Sequence, residues 1–238
     1  MRTAYTVFRN LYNVRKMTMK LVLASGSQRR RELLTMCGYD YEIIVSNADE
    51  TIDENDPESF VRALSFRKAK EVFDRLFAAG RRDFAVIGSD TVVAFQKEGG
   101  TKPVIIGKPK DAKDAVRILS MLSGKTHRVF TGVSVIADIS DENAAAQCSI
   151  RKKEEIQTEC SITEVTFETL SPDEITDYVN SGDPLDKAGS YGIQGPFGMF
   201  VREIRGNYFT VIGMPIPVLY KMLKKIGILP HGFYERIE

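Results

Sequence analysis

Asp90 is the residue whose position most needs a chemical explanation. It interrupts an apolar run, Phe84-Ala-Val-Ile-Gly88 before it and Val92-Val-Ala-Phe95 after it, that reads as a buried strand. A carboxylate there needs a cationic partner, a metal ion or a raised pKa, so it is either a structural ion pair or a working group. A second cue of the kind that handles phosphate follows closely. Gly107-Lys108-Pro109 holds a lysine between a flexible and a rigid residue just after a short strand at 104–106, which directs a point charge. Lys68 falls in helical angle between Val61 and Leu64, toward the packed side of its helix, where a lone lysine commonly snorkels to water.

A third group of candidates sits near the start. The segment from Leu21 to Leu34 aims an apolar strand (20–24) at a small-residue turn (25–27) and then opens a helix with Arg29, Arg30 and Arg31. Ser27 is the expected N-cap, and Gly38 the stop after a helix running to about residue 37. Free N–H groups and the macrodipole already make a helix N-terminus positive, and only Glu32 compensates for the added cations. Either an anion such as phosphate belongs there, or the arginines point into water at a cost of a few tenths of a kcal/mol.

The elements that would position these groups alternate between strand and helix. Residues 42–45 read as a strand, 47–55 as an acidic loop, and Asp56-Pro57-Glu58 as the start of a helix ending at Gly80. Residues 111–122 read as an amphipathic helix and 127–137 as a strong strand. Ser123-Gly-Lys-Thr126 ends like a P-loop, but that motif requires glycine at the position of Leu119, which excludes it. The polar stretch 138–158 reads as a long exposed connection, 161–169 as a strand, and Ser171-Pro-Asp-Glu174 as a capping box opening a helix to about residue 181. A glycine-rich loop at 183–195 follows, of a kind that lets backbone approach a ligand closely. A strand at 199–204 and a helix at 215–226 complete the pattern.

With 238 residues, 43% hydrophobic and 27% charged, the chain suits one sizeable α/β domain or two closely joined lobes. A net charge of +1 argues against a dedicated duplex-DNA binder, and no nucleic-acid partner is expected. Cys37, Cys148 and Cys160 have no close pairing spacing and no secretory segment accompanies them, which points to a reducing cytoplasmic compartment. No run approaches the roughly 20 apolar residues that cross a bilayer, so no membrane partner is expected. Residues 1–19 carry Arg2, Arg9, Arg15 and Lys16 without an acid; organellar presequences share that composition, as do basic arms and upstream extensions.

Taken together, Leu23-Ala-Ser-Gly-Ser-x-Arg-Arg-x-Glu-Leu-Leu34, Arg67-Lys-Ala69, Gly88-Ser-Asp-Thr-Val-Val93, Gly107-Lys-Pro109, Leu122-Ser-Gly-x-x-His127 and Asp186-Lys-Ala-Gly-x-Tyr-Gly-Ile-Gln-Gly195 resemble the Maf family of nucleoside triphosphate pyrophosphatases. The match spans about residues 21–227 in the family's order. The resemblance implies hydrolysis between the α and β phosphates, giving the monophosphate and pyrophosphate with a divalent cation, Mg²⁺ or Mn²⁺. It implies the elongated mixed-sheet α/β fold shared with inosine triphosphate pyrophosphatase, two lobes around a central cleft, and a homodimer. The expected organisation is a basic extension over 1–19, one catalytic domain over 20–230 with an insert near 138–158, and a tail at 231–238.

Carried over by position, Asp90 looks like the family's catalytic carboxylate, as general base toward water or as metal ligand. Ser25, Arg30, Lys68 and Lys108 match groups that hold the triphosphate, and Glu32 is a candidate second metal ligand. The form Gly192-Ile-Gln-Gly195 resembles the subgroup acting on dTTP and UTP, whereas the 7-methyl-GTP subgroup usually has an acid in place of this glutamine. Arg29, Thr91 and Gln194 occupy the positions tied to that choice. An amide can donate to a pyrimidine carbonyl and accept from the ring N–H, which a carboxylate cannot. Gln28 departs from the family's proline at the first helical position, loosening helix entry without removing a reactive group. Two other functions fit the same motifs: a nucleotide-binding regulator of cell division without relevant turnover, and a house-cleaning hydrolase of other non-standard nucleotides.

Overall fold

The structure is a computed structural model that describes residues 19–96, 99–100, 102–139 and 154–231. The basic arm at 1–18, Cys148 and most of the polar insert therefore lie outside the described residues.

The apolar strands assemble into one seven-stranded mixed sheet. β1 (Lys20–Leu23) pairs in parallel with β2 (Glu42–Ile43) and with β3 (Phe84–Phe95). Beyond β3 come β5 (Thr126–Asp138), β6 (Glu154–Phe167) and β7 (Val201–Arg205), each antiparallel to its neighbour. β4 (Val104–Ile106) joins the β3 edge that β1 also uses, and the register keeps the two apart. β1 covers Phe84 to Ile87 and β4 covers Val93 to Phe95, so residues 88–92 have a strand neighbour only in β5. The sheet is thus forked around Asp90.

Helix α1 (Gln28–Met36) follows β1, and α2 (Pro57–Ala78) lies across β3 and β5. Asp56 caps α2 by accepting the Ser59 N–H at 2.9 Å, with Pro57 at the first helical position. Two glycines let this helix come close. A Cβ on Gly132 would overlap the Val61 carbonyl, and one on Gly88 would stand 2.7 Å from the Ala69 nitrogen. The same sheet face buries Val22, Val72, Phe73, Phe84, Val86 and Ile136. On the opposite face Leu23, Ile87, Val133 and Val135 pack with Leu34, Met214, Leu219 and Met222. The remaining helices are α3 (Ala112–Leu122), α4 (Pro172–Asn180), α5 (Tyr208–Ile212) and α6 (Ile216–Lys225). α4 carries the expected capping box between Ser171 and Glu174.

Three expectations change. Ser27 occupies the N-cap position of α1, but its side chain makes no cap bond. The Ser25 hydroxyl instead accepts the Ser27 N–H at 3.3 Å, so the turn closes on itself before the helix begins. The stretch read as an exposed connection contains strand at both ends, because β5 reaches Asp138 and β6 starts at Glu154, the two paired. Ladder partners there outweigh the low strand preference of Glu154 and Glu155. The strand expected at 42–45 shrinks to Glu42–Ile43.

His127, on β5, is buried in an aromatic cluster. Its Nε2 lies 3.0 Å from the Tyr191 hydroxyl and its ring meets Phe167 edge-on at 4.6 Å. Burial lowers its pKa from 6.5 to about 3, so the folded protein holds it neutral. Between those values the unfolded chain binds more protons, and the stabilisation present above pH 6.5 is lost as the pH falls toward 3. Replacing the titrating ring in His127→Phe should therefore remove about 2 kcal/mol of the stability lost between roughly pH 7.5 and 5, read from urea unfolding at both values. An acid limb as steep as that of the parent protein would show that another group controls it.

Candidate active site

The fork opens into a cleft of about 1080 Å³. The C-terminal ends of β1 and β4 both point into it, so the turn at 24–27 and the Gly107-Lys108-Pro109 turn arrive from opposite sides. Ligand crevices form outside strand C-termini for this reason. All nine expected site residues line the cleft: Ser25, Arg29, Arg30, Glu32, Lys68, Asp90, Thr91, Lys108 and Gln194.

Asp90 and Thr91 are consecutive on β3 and point to opposite sheet faces. On the α2 face the Lys68 ammonium donates to Asp90 Oδ1 at 2.8 Å, with both side chains 12% exposed. Lys68 is therefore paired inside the cleft instead of snorkelling away. Its ammonium also meets Glu50 Oε1 at 2.9 Å. Glu50 comes from the acidic loop, and Arg67 fixes its backbone by donating from Nη1 to the Asp49 and Thr51 carbonyls, each at 2.8 Å. Adjacent residues of α2 thus clamp the loop and meet its carboxylate.

On the other face Arg30 is a three-way crosslink. Nε donates to the Gly213 carbonyl at 2.8 Å, Nη1 to Ser25 Oγ at 3.0 Å, and Nη2 to Thr91 Oγ1 at 3.3 Å. Three of five guanidinium donors are spent internally and two remain for a ligand. Burial lowers the Arg30 pKa, opposed by the Asp90 carboxylate, and guanidinium stays charged regardless. The Thr131 hydroxyl donates to the Thr210 carbonyl at 2.7 Å, so Thr91, 3.0 Å away, gives its own proton to Thr131. Thr91 thereby anchors Arg30 and has no donor left for a base. Ser25 accepts twice and keeps its proton for an anion.

Arg29 reaches across to Asp186 Oδ2 at 3.5 Å. Burial alone would raise the Asp186 pKa, but the hydrogen bond and charge of Lys187, then Arg29, hold it below the usual value. Lys108 is placed through its neighbour, whose carbonyl accepts the Gly189 N–H at 3.0 Å. Glu32 lines the cleft, but its carboxylate is engaged by Gln28 Nε2 at 2.8 Å, whereas Glu50 and Asp90 share one ammonium. Arg31 faces a separate depression with Met36, Tyr41 and Ile43. Sequence reasoning passed over Glu50, Asp183 and Lys187, which also line the cleft. The glycine-rich motif marked the last two as a group, while nothing singled out Glu50 among the acids of its loop.

The cleft at these strand ends therefore brings cations from both sheet faces together with the buried Asp90 carboxylate. Residues 20–226 match the family described as Maf-like protein, and the chain belongs to that family. It is 40% identical over 217 residues to the dTTP/UTP pyrophosphatase of Agathobacter rectalis, covering 88% of this chain and 98% of the relative. It is 42% identical over 210 residues to the dTTP/UTP pyrophosphatase of Bacillus thuringiensis subsp. konkukian, covering 88% and 96%. The solved structure of the Staphylococcus aureus Ham1 protein aligns over 87% of this chain and 99% of its own, at 14% identity and a TM-score of 0.43.

Arg30→Lys separates the geometry of this crosslink from its charge. A single ammonium cannot reach Ser25, Thr91 and the Gly213 carbonyl together, so the variant is expected to lose about 1–3 kcal/mol in urea unfolding. Parent-like stability would show that charge alone matters there.

Proposed function

We propose that the chain hydrolyses nucleoside triphosphates, dTTP and UTP above others, between the α and β phosphates, releasing the nucleoside monophosphate and pyrophosphate. The observation that carries this reading is the Asp90 carboxylate, held by Lys68 in a cleft that also presents Arg30, Lys108 and the Gln194 amide. The dTTP/UTP pyrophosphatase activity for which the two relatives are named supports it.

In this reading Lys68 occupies Asp90 Oδ1 and leaves Oδ2 to take a proton from the attacking water. Arg30 and Lys108 neutralise the triphosphate from opposite sides of the fork, and Ser25 donates to a phosphate oxygen. Catalysis in phosphoryl-type chemistry rests largely on such positioning and charge neutralisation. Gln194 reads the pyrimidine edge with its paired donor and acceptor. Arg29 acts beside it in substrate choice.

The donor set fits a divalent cation such as Mg²⁺ or Mn²⁺. Glu50 and Asp90 are hard oxygen donors of which Lys68 engages one oxygen each, and Mg²⁺ is commonly held by one or two carboxylates together with substrate phosphates. Among the described residues no group of three or more His, Cys, Asp or Glu forms a cage. Glu50 suits the second ligand position better than Glu32. When bound, the cation would stabilise charge on the phosphate oxygens.

Pyrophosphate release from dTTP or UTP should stop on chelation and resume with Mg²⁺ or Mn²⁺. In Asp90→Asn, kcat should fall by about 10²- to 10⁴-fold, the range of a lost general base. Retained turnover in that variant would remove Asp90 from the chemistry. Gln194→Glu should lower kcat/KM for dTTP and UTP by about tenfold or more while triphosphate binding weakens less, because the carboxylate cannot donate to a pyrimidine carbonyl. Equal losses across all bases would sink the assignment of Gln194.

A further inference from the structure

Gln194 is exposed and makes no side-chain hydrogen bond among the described residues, so whatever fixes its direction must lie in the backbone beneath it. That backbone rests on a small, partly buried network. Tyr178, near the end of α4, packs its ring against Phe197 at 4.8 Å and sets its hydroxyl between two partners. The hydroxyl donates to Asp183 Oδ2 at 2.5 Å and accepts the Gly192 N–H at 3.0 Å. Asp183 Oδ1 in turn accepts from the Lys187 ammonium at 3.0 Å, which also donates to Asp186 Oδ1 at 2.7 Å. The lysine stem runs directly under the loop: a Cβ on Gly192 would stand 2.7 Å from Lys187 Cε and 3.1 Å from Asp183 Oδ2. The turn then closes through the Gly195 N–H to the Gly192 carbonyl at 3.2 Å.

We propose that Tyr178, Asp183 and Lys187 are positioning residues for base selection: by pinning Gly192 from below they set the height and direction of the Gln194 amide. Selectivity then depends on side chains that do not touch the base. The proposal rests on the reading of Gln194 as the base-contacting group. An amide on three rotatable bonds discriminates only if its backbone is held, since a displacement of about 1 Å is enough to spoil paired hydrogen bonds. The direction of each bond is fixed by the inventory of protons. Tyr178 has one, which goes to the carboxylate, and its lone pairs are left for Gly192. Burial, reinforced by Asp183, raises the pKa of this hydroxyl, so it remains a donor across working pH.

Tyr178→Phe keeps the ring against Phe197 and removes only the hydroxyl. Steady-state kinetics with UTP and GTP in saturating Mg²⁺ should show KM for UTP raised by about tenfold with kcat within about twofold. The preference for UTP over GTP should fall toward that of Gln194→Ala, and the double variant should lose no more than Gln194→Ala alone. A merely structural tyrosine would lower the unfolding midpoint and leave this preference unchanged. The proposal is overturned if Tyr178→Phe keeps the preference that Gln194→Ala loses, or if the two losses add in full. Should Gln194→Ala itself keep the preference, the reading of Gln194 fails, and the network is judged by Tyr178→Phe alone: an unchanged KM rejects it, and a raised KM with constant kcat supports it through another group of the loop. If Tyr178→Phe does not fold, Asp183→Asn carries the same expectations, because it keeps the side chain's shape but removes its charge and leaves one accepting oxygen where two now serve Tyr178 and Lys187.

Discussion

The close seating of α2 on the sheet is the constraint from which the rest of the molecule follows. At Gly88 and Gly132 no side chain separates helix backbone from strand backbone, so the helix sits at a depth set by main-chain contact. That depth brings Lys68, otherwise a long and mobile side chain, to a fixed 2.8 Å from Asp90. It also lets the preceding residue, Arg67, reach the carbonyls on either side of Glu50. A helix raised by one methyl at either glycine would loosen both arrangements together. The energetic reward for the seating comes from the apolar face around Phe73, Phe84 and Val86, which burial stabilises at roughly 25 cal/mol per Å².

The fork supplies what the helix alone cannot. A continuous ladder would separate the Asp90 side of the sheet from the Thr91 side. Because the pairing of β1 with β3 ends at Ile87 and that of β4 begins at Val93, groups from both faces reach a shared cavity. The cavity is not simply basic. Lys68 is matched by Glu50 and Asp90, Arg29 by Asp186, and Lys187 by Asp183 and Asp186. These pairs hold the cations in place and moderate their mutual repulsion, while Arg30 is held by neutral oxygens and has donors to spare.

Much of this was legible in the sequence, and the unreadable parts share a cause. Asp90 stood out because one carboxylate broke an apolar run, and Lys68 because helical angle placed it on the packed side. Glu50 did not, since a loop has no period and each of its acids looks alike until Arg67 selects one by its backbone. Ser27 sits at the cap position that the sequence suggests, but its hydroxyl accepts no helix N–H, and the turn is closed instead by Ser25 accepting the Ser27 N–H. Thr91 lay in the right place, yet its part as an anchor for Arg30 depends on Thr131 and Thr210, far away in sequence. The strand at 154–158 was hidden by its glutamates, and only pairing with β5 reveals it. Local pattern located the residues that line the cleft; long-range partners decide which of their atoms are already engaged.

The stretch of β3 that pairs on one side only also bears on how the sheet meets other strands. An open strand edge commonly recruits another chain, and proteins blunt such edges with charge, short length or cover. Here the open edge lies in the interior of the sheet, with β1 at one end and β4 at the other. An approaching strand meets two strand ends before it meets the edge, and then Lys68, Asp90 and Lys108. At this opening the fold keeps strand backbone accessible while the flanking strand ends and charges blunt it as an edge for pairing.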